Sequence, residues 1–227
     1  MELKSVAAAL GATMLAAAAF QTRAAEQMPS QSITGATYGG NPDATGVPPA
    51  AAGPMMSAPV SDLLKALMDA AGRHDWTTAK AKLVRVRAVN NPSDFDRFEI
   101  EVVSGFVAVN TGDHTGALAS YKRVIASPLF ATAETPQQQS AMLKNAMILS
   151  NEAGDFAGAV AFGEKLAARG AMDDTAAVAL AFAYFGAGDY AKAAALAQKA
   201  IDAAVAAGKQ PDDSAVQILS KSKANLH

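Results

Sequence analysis

Apolar and polar positions alternate at helical spacing along most of the last three-quarters of the chain. From Ser61 onward the pattern is helical almost without break, and a small motif punctuates it. A Gly, replaced by His in the first copy, is followed by Asp and then by an aromatic residue or His. The copies are His74-Asp75-Trp76, Gly112-Asp113-His114, Gly154-Asp155-Phe156 and Gly188-Asp189-Tyr190. Each Asp is followed four residues later by an alanine: Ala79, Ala117, Ala159 and Ala193. Glycine is the residue that ends a helix in the left-handed conformation. Aspartate accepts from the free N–H groups that open the next helix. The ring packs the turn, and the alanine lets two helices approach closely. The motif therefore predicts four helical hairpins, each bent at one copy.

The Asp-to-Asp separations are 38, 42 and 34 residues, so extra residues fall in two of the connections. Asn90 to Ser93 joins the first hairpin to the second, and Ser127 to Thr135 joins the second to the third. Thr135-Pro136 reads as an N-cap followed by a first-turn proline, so a helix is expected to begin there. Pro211-Asp212-Asp213 opens a last helix to about Lys223 in the same way. Its polar face, with Asp213, Gln217, Ser220 and Lys221, suits a helix that closes a stack. Nine helices are expected: four pairs over 61–208 and a cap in 209–227.

These residues resemble the tetratricopeptide repeat (TPR) family, whose unit is about 34 residues. The last unit matches best, through Leu180-Ala181, Tyr184, Gly188-Asp189-Tyr190, Ala193, Ala197 and Ala200. The second offers Gly105, Ala108, Gly112-Asp113, Ala117, Tyr121 and Val124. The third offers Leu143, Gly154-Asp155-Phe156, Ala159 and Leu166, with Met147 where a small residue is expected. The first, Ser61 to Val89, is degenerate and has His74 in place of Gly. The resemblance implies an all-α, right-handed superhelical stack whose concave face is lined by the first helix of each pair. In that family the concave face holds an extended peptide or a partner's helix. Transferred residue by residue, the face comprises Leu64 and Met68; Val102, Phe106 and Asn110; Lys144, Ile148 and Asn151; and Val178, Phe182 and Phe185. Phe106, Ile148, Phe182 and Phe185 would make it apolar. The Lys and Asn set that clamps C-terminal carboxylates in some members is not matched: Lys144 is present, but Val102, Phe106 and Ile148 replace its polar partners.

Upstream of the hairpins the chain changes character twice. Lys4 precedes an uncharged run of 16 residues, Ser5 to Phe20, which is short for a membrane span of roughly 20 residues. Gln21 to Arg23 and then Ala24 and Ala25 complete the order of a cleavable signal peptide, 1–24, with Thr22 and Ala24 at the two small-residue positions; an uncleaved N-terminal anchor is the alternative. The Ala-rich style points to a bacterial source, and hence to the periplasm or secretion. Residues 25–60 hold six of the ten prolines and follow no helical or strand period, so they are expected to form a disordered Pro/Gly-rich linker.

Composition narrows the chemistry. Lys plus Arg is 19 and Asp plus Glu is 21, a balance that gives no electrostatic case for nucleic acid. There is no cysteine, which excludes disulfides, thiol nucleophiles and Cys-ligated metals. His74 and His114 occupy successive turns and are read as capping or packing residues, with a metal site beside Asp75 and Asp113 as the alternative; two His four apart, the commoner helical metal pattern, do not occur. Asp173-Asp174 and Asp212-Asp213 each precede a helix, as cap and dipole partner. No phosphate loop, dinucleotide fingerprint or nucleophile elbow is present. Lys80, Lys82, Arg85 and Arg87 form a basic stretch on the first pair's second helix, read as a solvated face with contact to an acidic partner as the alternative. No catalytic, cofactor or metal residues are expected. The expected function is a non-enzymatic protein-binding scaffold of the bacterial cell envelope, with no integral membrane segment once the signal is removed. The alternatives are a structural module that pairs with a second copy, as a homodimer, and an accessory subunit of an envelope-biogenesis enzyme.

Overall fold

The computed structural model describes residues 55–226. The expected signal peptide, and the expected linker as far as residue 54, lie outside the described residues. The described residues are all-helical, with ten helices and no strand. They are α1 (Ala58–Gly72), α2 (Trp76–Arg87), α3 (Asp94–Asn110), α4 (His114–Ala126), α5 (Phe130–Ala133), α6 (Pro136–Glu152), α7 (Phe156–Ala168), α8 (Asp174–Gly186), α9 (Tyr190–Ala206) and α10 (Asp213–Ala224).

Two departures from the sequence reading stand out. The first helix begins at Ala58, inside the segment 25–60 expected as linker, because Pro59 occupies its first turn and Val60 is fully buried. The extra helix is α5, a single turn within the connection expected over Ser127 to Thr135. Ser127 opens it by accepting from the Leu129 N–H at 3.2 Å, and Phe130 fixes it by burying its ring.

The four hairpin turns share one construction. Gly112, Gly154 and Gly188 take φ of +73°, +72° and +83°, and His74 takes +57° in the first hairpin. At each turn the Asp N–H reaches back to a carbonyl five residues earlier. The bonds are Asp75 to Ala70 at 2.9 Å, Asp113 to Ala108 at 2.9 Å, Asp155 to Ser150 at 2.8 Å and Asp189 to Tyr184 at 2.9 Å. That is the longer bond of a Schellman C-cap. The same Asp side chain then accepts from the backbone N–H three residues on, at Thr78, Gly116, Gly158 and Lys192, over 2.9 to 3.1 Å. One residue thus closes one helix and opens the next, which leaves no slack in the turn.

The helices fall into two compact units, the first through Ser120 and the second from Tyr121. In the first, α1 packs on α2 and on α3. Leu64, Leu67, Ala70 and Ala71 of α1 meet Ala79, Leu83 and Val86 of α2 and Ile100, Val103 and Val107 of α3. In the second unit, α6 packs on α7 and α8, and α8 packs on α7, α9 and α10. First helices thus meet first helices, and each also meets its own partner, as in a helical repeat. The core here is Met142, Leu143, Met147, Leu166, Leu180 and Ile218, filled out by alanines. Gly163 of α7 sits against Leu180 and Met147, where a Cβ would collide with both.

Candidate functional site

The residues assigned to the concave face divide into core, fasteners and half-exposed apolar side chains. Leu64 is fully buried in the first unit's core, and Val102 is 2% exposed, so neither is open to a ligand. The stripe of α3 that faces α1 and α2 carries Ile100, Val103 and Val107, and Val102 is buried on another side of the helix. Met68 and Phe106 are half-buried against the same core. Asn110 is half-buried too, and its side-chain amide donates to the Phe106 carbonyl at 2.8 Å, within its own helix.

In the second unit the polar candidates tie helices together. Lys144 Nζ lies 2.6 Å from Asp173, the residue that caps α8 by accepting from the Ala176 N–H at 2.8 Å. Asn151 is buried, and its Nδ2 donates to the Ala179 carbonyl of α8 at 2.9 Å. These contacts pair Lys144 with Asp173 and Asn151 with Ala179, so α6 and α8 run parallel and are held at two points about two turns apart. Neither side chain is free to grip an extended peptide while those bonds stand. Asn151 Oδ1 is buried and accepts no hydrogen bond.

The apolar candidates remain at the surface in part. Ile148, Val178, Phe182 and Phe185 are all half-exposed, on α6 and α8 of the second unit. Two of them lean on the turn aromatics. The Phe182 ring meets Phe156 edge-to-face at 5.8 Å, and Phe185 meets Tyr190 at 5.4 Å. In the first unit Phe106 meets Trp76 edge-to-face at 6.0 Å. Gly186 lies so close to the Phe156 ring that a Cβ there would overlap it. The aromatic of one hairpin's turn thus packs beneath the first helix of the next, at Trp76–Phe106 and at Phe156–Phe182.

Several charged and titratable groups make defined contacts. Lys122 Nζ holds Asp155 at 2.8 Å, and this pair together with the Gly158 N–H keeps the Asp155 carboxyl below its ordinary range. Burial pushes the Tyr121 phenol up to about 12, against a hydrogen bond from Asn145. Burial also lifts Glu134, in the α5–α6 connection, to about 7. Beside it, Arg169 donates to the Gln139 side chain and stacks over the Phe130 ring, while Gln139 Nε2 donates to the Glu134 carbonyl at 2.7 Å. His74 and His114 do not join a metal-ligating cluster: no group of three or more His, Cys, Asp or Glu gathers among the described residues. No described helix is long and apolar enough to cross a membrane.

One functional arrangement escaped the sequence reading. Asp96 is 1% exposed and accepts from the N–H of Ser57 at 2.8 Å and of Ser93 at 2.9 Å, so a single carboxylate caps the starts of both α1 and α3. Ser93, followed three residues later by an acid, was the available signal for half of it.

Compared with protein-family models, with curated protein sequences and with solved structures, the chain matches none.

Proposed function

We propose that the chain is an exported binding scaffold of TPR type, a right-handed stack of hairpins that receives a segment of another envelope protein on the first helices of its second unit. The observation that carries the reading is the half-exposed set Ile148, Val178, Phe182 and Phe185 on α6 and α8. These two helices run parallel and are joined by Lys144–Asp173 and Asn151–Ala179, so the apolar side chains share one packed pair of helices. Preorganised apolar anchors of this kind suit a hydrophobic partner segment. The recurring Gly-Asp-aromatic turns and the alternating contact pattern support the repeat assignment.

Ile148 and Val178 make the cleanest test, because neither ring packing nor a hydrogen bond recruits them to the fold. Crosslinking followed by mass spectrometry in the native envelope identifies what lies on α6 and α8. Ile148→Asp with Val178→Asp should then abolish that contact while the helical circular dichroism is unchanged. Unimpaired binding by the folded double variant would refute the assignment. A crosslink to a second copy would replace it with self-association.

A further inference from the structure

The outer face of α2 differs from the corresponding faces of the other three described hairpins in its exposed valine and unpaired cations. The helix buries Ala79, Leu83 and Val86 inward. On the opposite side Thr77, Ala81, Val84 and the capping residue Ala88 are all exposed. Their spacing of four, three and four is that of a coiled-coil seam. Val84 is 70% exposed, the most exposed large apolar side chain within any described helix. Lys80 and Arg87 flank the seam on one side and Arg85 on the other, all exposed, and Lys82 adds a fourth cation. The helix carries no acid, and none of the four cations has an ion pair with a described residue.

The other three hairpins supply the comparison. Nine residues after each turn Asp stand Val84, Lys122, Glu164 and Gln198. Lys122 binds Asp155, Glu164 accepts from the Tyr184 hydroxyl at 2.9 Å, and Gln198 donates to Asp202 at 2.9 Å. Only in the first hairpin is this site apolar and without such a bond. The pattern therefore does not follow from the repeat.

The chemistry of the face selects among occupants. A second copy meeting it face to face would set cations against cations. An anionic bilayer takes up bulky aliphatic or aromatic side chains, and this seam offers one valine among alanines and a threonine. Alanine and threonine suit the close approach of another helix. Cations beside a seam select carboxylates at the facing positions.

We propose that the outer face of α2 docks a single amphipathic helix of a partner protein, with small or aliphatic residues along its contact line and Glu or Asp beside them. The site is separate from the apolar set on α6 and α8. The test uses the full chain and a fluorescent four-heptad peptide with Leu and Ala on its seam and Glu at every flanking position. The control peptide has Lys for Glu. The Glu peptide should bind with an affinity that falls steeply with salt, and the Lys peptide should not. Lys80→Glu with Arg85→Glu, and separately Val84→Asp, should weaken binding by about tenfold or more, roughly 1.4 kcal/mol. Lys199→Glu, on exposed α9 surface, should leave it unchanged. Ile148→Asp should also leave it unchanged, which keeps failure here distinct from failure of the α6–α8 reading. A photocrosslinker at position 84 in the native cell should attach to an acidic helical segment of another protein. Absence of peptide binding, equal binding of the Lys peptide, indifference to the α2 charge reversals, or crosslinks only to lipid or to a second copy would each overturn the proposal.

Discussion

Replacing Asp96 tests whether the first unit is closed by one carboxylate. Asp96 is almost fully buried and accepts two backbone hydrogen bonds, from Ser57 at 2.8 Å and Ser93 at 2.9 Å, while its own N–H donates to Ser93 Oγ at 3.0 Å. Asparagine keeps the shape but offers one acceptor and one donor. One of the two N–H groups would then face an NH2 group. Hydrogen bonds to a charged acceptor contribute about 1.5–3 kcal/mol each, and a buried donor left unpaired costs about 1–3 kcal/mol. Asp96→Asn should therefore lose about 2–4 kcal/mol, and Asp96→Ala should lose at least as much. Burial works to raise this carboxyl, but the hydrogen bonds from Ser57 and Ser93 together outweigh it and hold it below its ordinary 3.8. A lowered native value means that the stabilisation is complete above the unfolded value and is lost as pH falls through the native one. The gap between Asp96→Asn and the parent should thus be full at pH 7 and should narrow as pH drops below about 4. Urea unfolding followed by circular dichroism at both pH values measures it. A variant within about 0.5 kcal/mol of the parent at pH 7, or a gap that widens in acid, would refute the reasoning.

Glu134 carries the opposite sign. Its carboxyl is raised from 4.5 to about 7 by burial, so its neutral form is favoured in the fold, and the associated stability is present below about pH 4.5 and lost as pH rises through about 7. Glu134→Gln should accordingly gain up to about 3 kcal/mol over the parent at pH 8 and little at pH 4, read by urea unfolding. His74 holds φ +57° where the other turns have glycine, so His74→Gly should raise stability by about 0.5–1 kcal/mol, seen as a higher melting temperature. Gly186→Ala drives a methyl into the Phe156 ring and should cost about 1–3 kcal/mol in chemical unfolding, despite alanine's better helix propensity. A neutral result would mean that the ring swings aside at no cost.

The hairpin turns were legible because everything that makes them is local. A left-handed residue, an Asp and the N–H three residues on lie within one short stretch, and Asp75, Asp113, Asp155 and Asp189 all take the expected role. The single-turn α5 was not legible, since Phe130 is fixed by tertiary burial in a segment with no period of its own. The same limit governs the candidate face. Whether Asn151 or Lys144 points at a ligand or at the neighbouring helix depends on partners 28 and 29 residues away. Their register follows from how α6 and α8 pack. Spacing along one helix identifies a stripe, but it does not say which edge of that stripe the next helix covers. Val102 is buried and Ile148 only partly so, although the sequence assigns both to one face. Asp96 was half legible: its capping box with Ser93 is local, and its bond to Ser57 spans 39 residues.

The aromatic pairs constrain how any binding experiment on this chain is to be read. Phe106 and Phe182 stand where a partner segment would find its largest anchors, yet each ring is already engaged with the turn aromatic of the preceding hairpin, Trp76 or Phe156. Edge-to-face pairs contribute about 0.5–1.5 kcal/mol beyond their burial, so replacing either ring by Glu removes packing between hairpins as well as apolar surface. Loss of binding in Phe182→Glu would then have two causes. Ile148 and Val178 have no ring partner, so a change there leaves the pairing between hairpins intact. The two classes should separate: Phe182→Glu lowers the unfolding midpoint and binding together, whereas Ile148→Asp lowers binding at a nearly constant midpoint. If Ile148→Asp unfolds the second unit as readily as Phe182→Glu, the half-exposed side chains on α6 and α8 are core to the fold, and the binding face lies elsewhere.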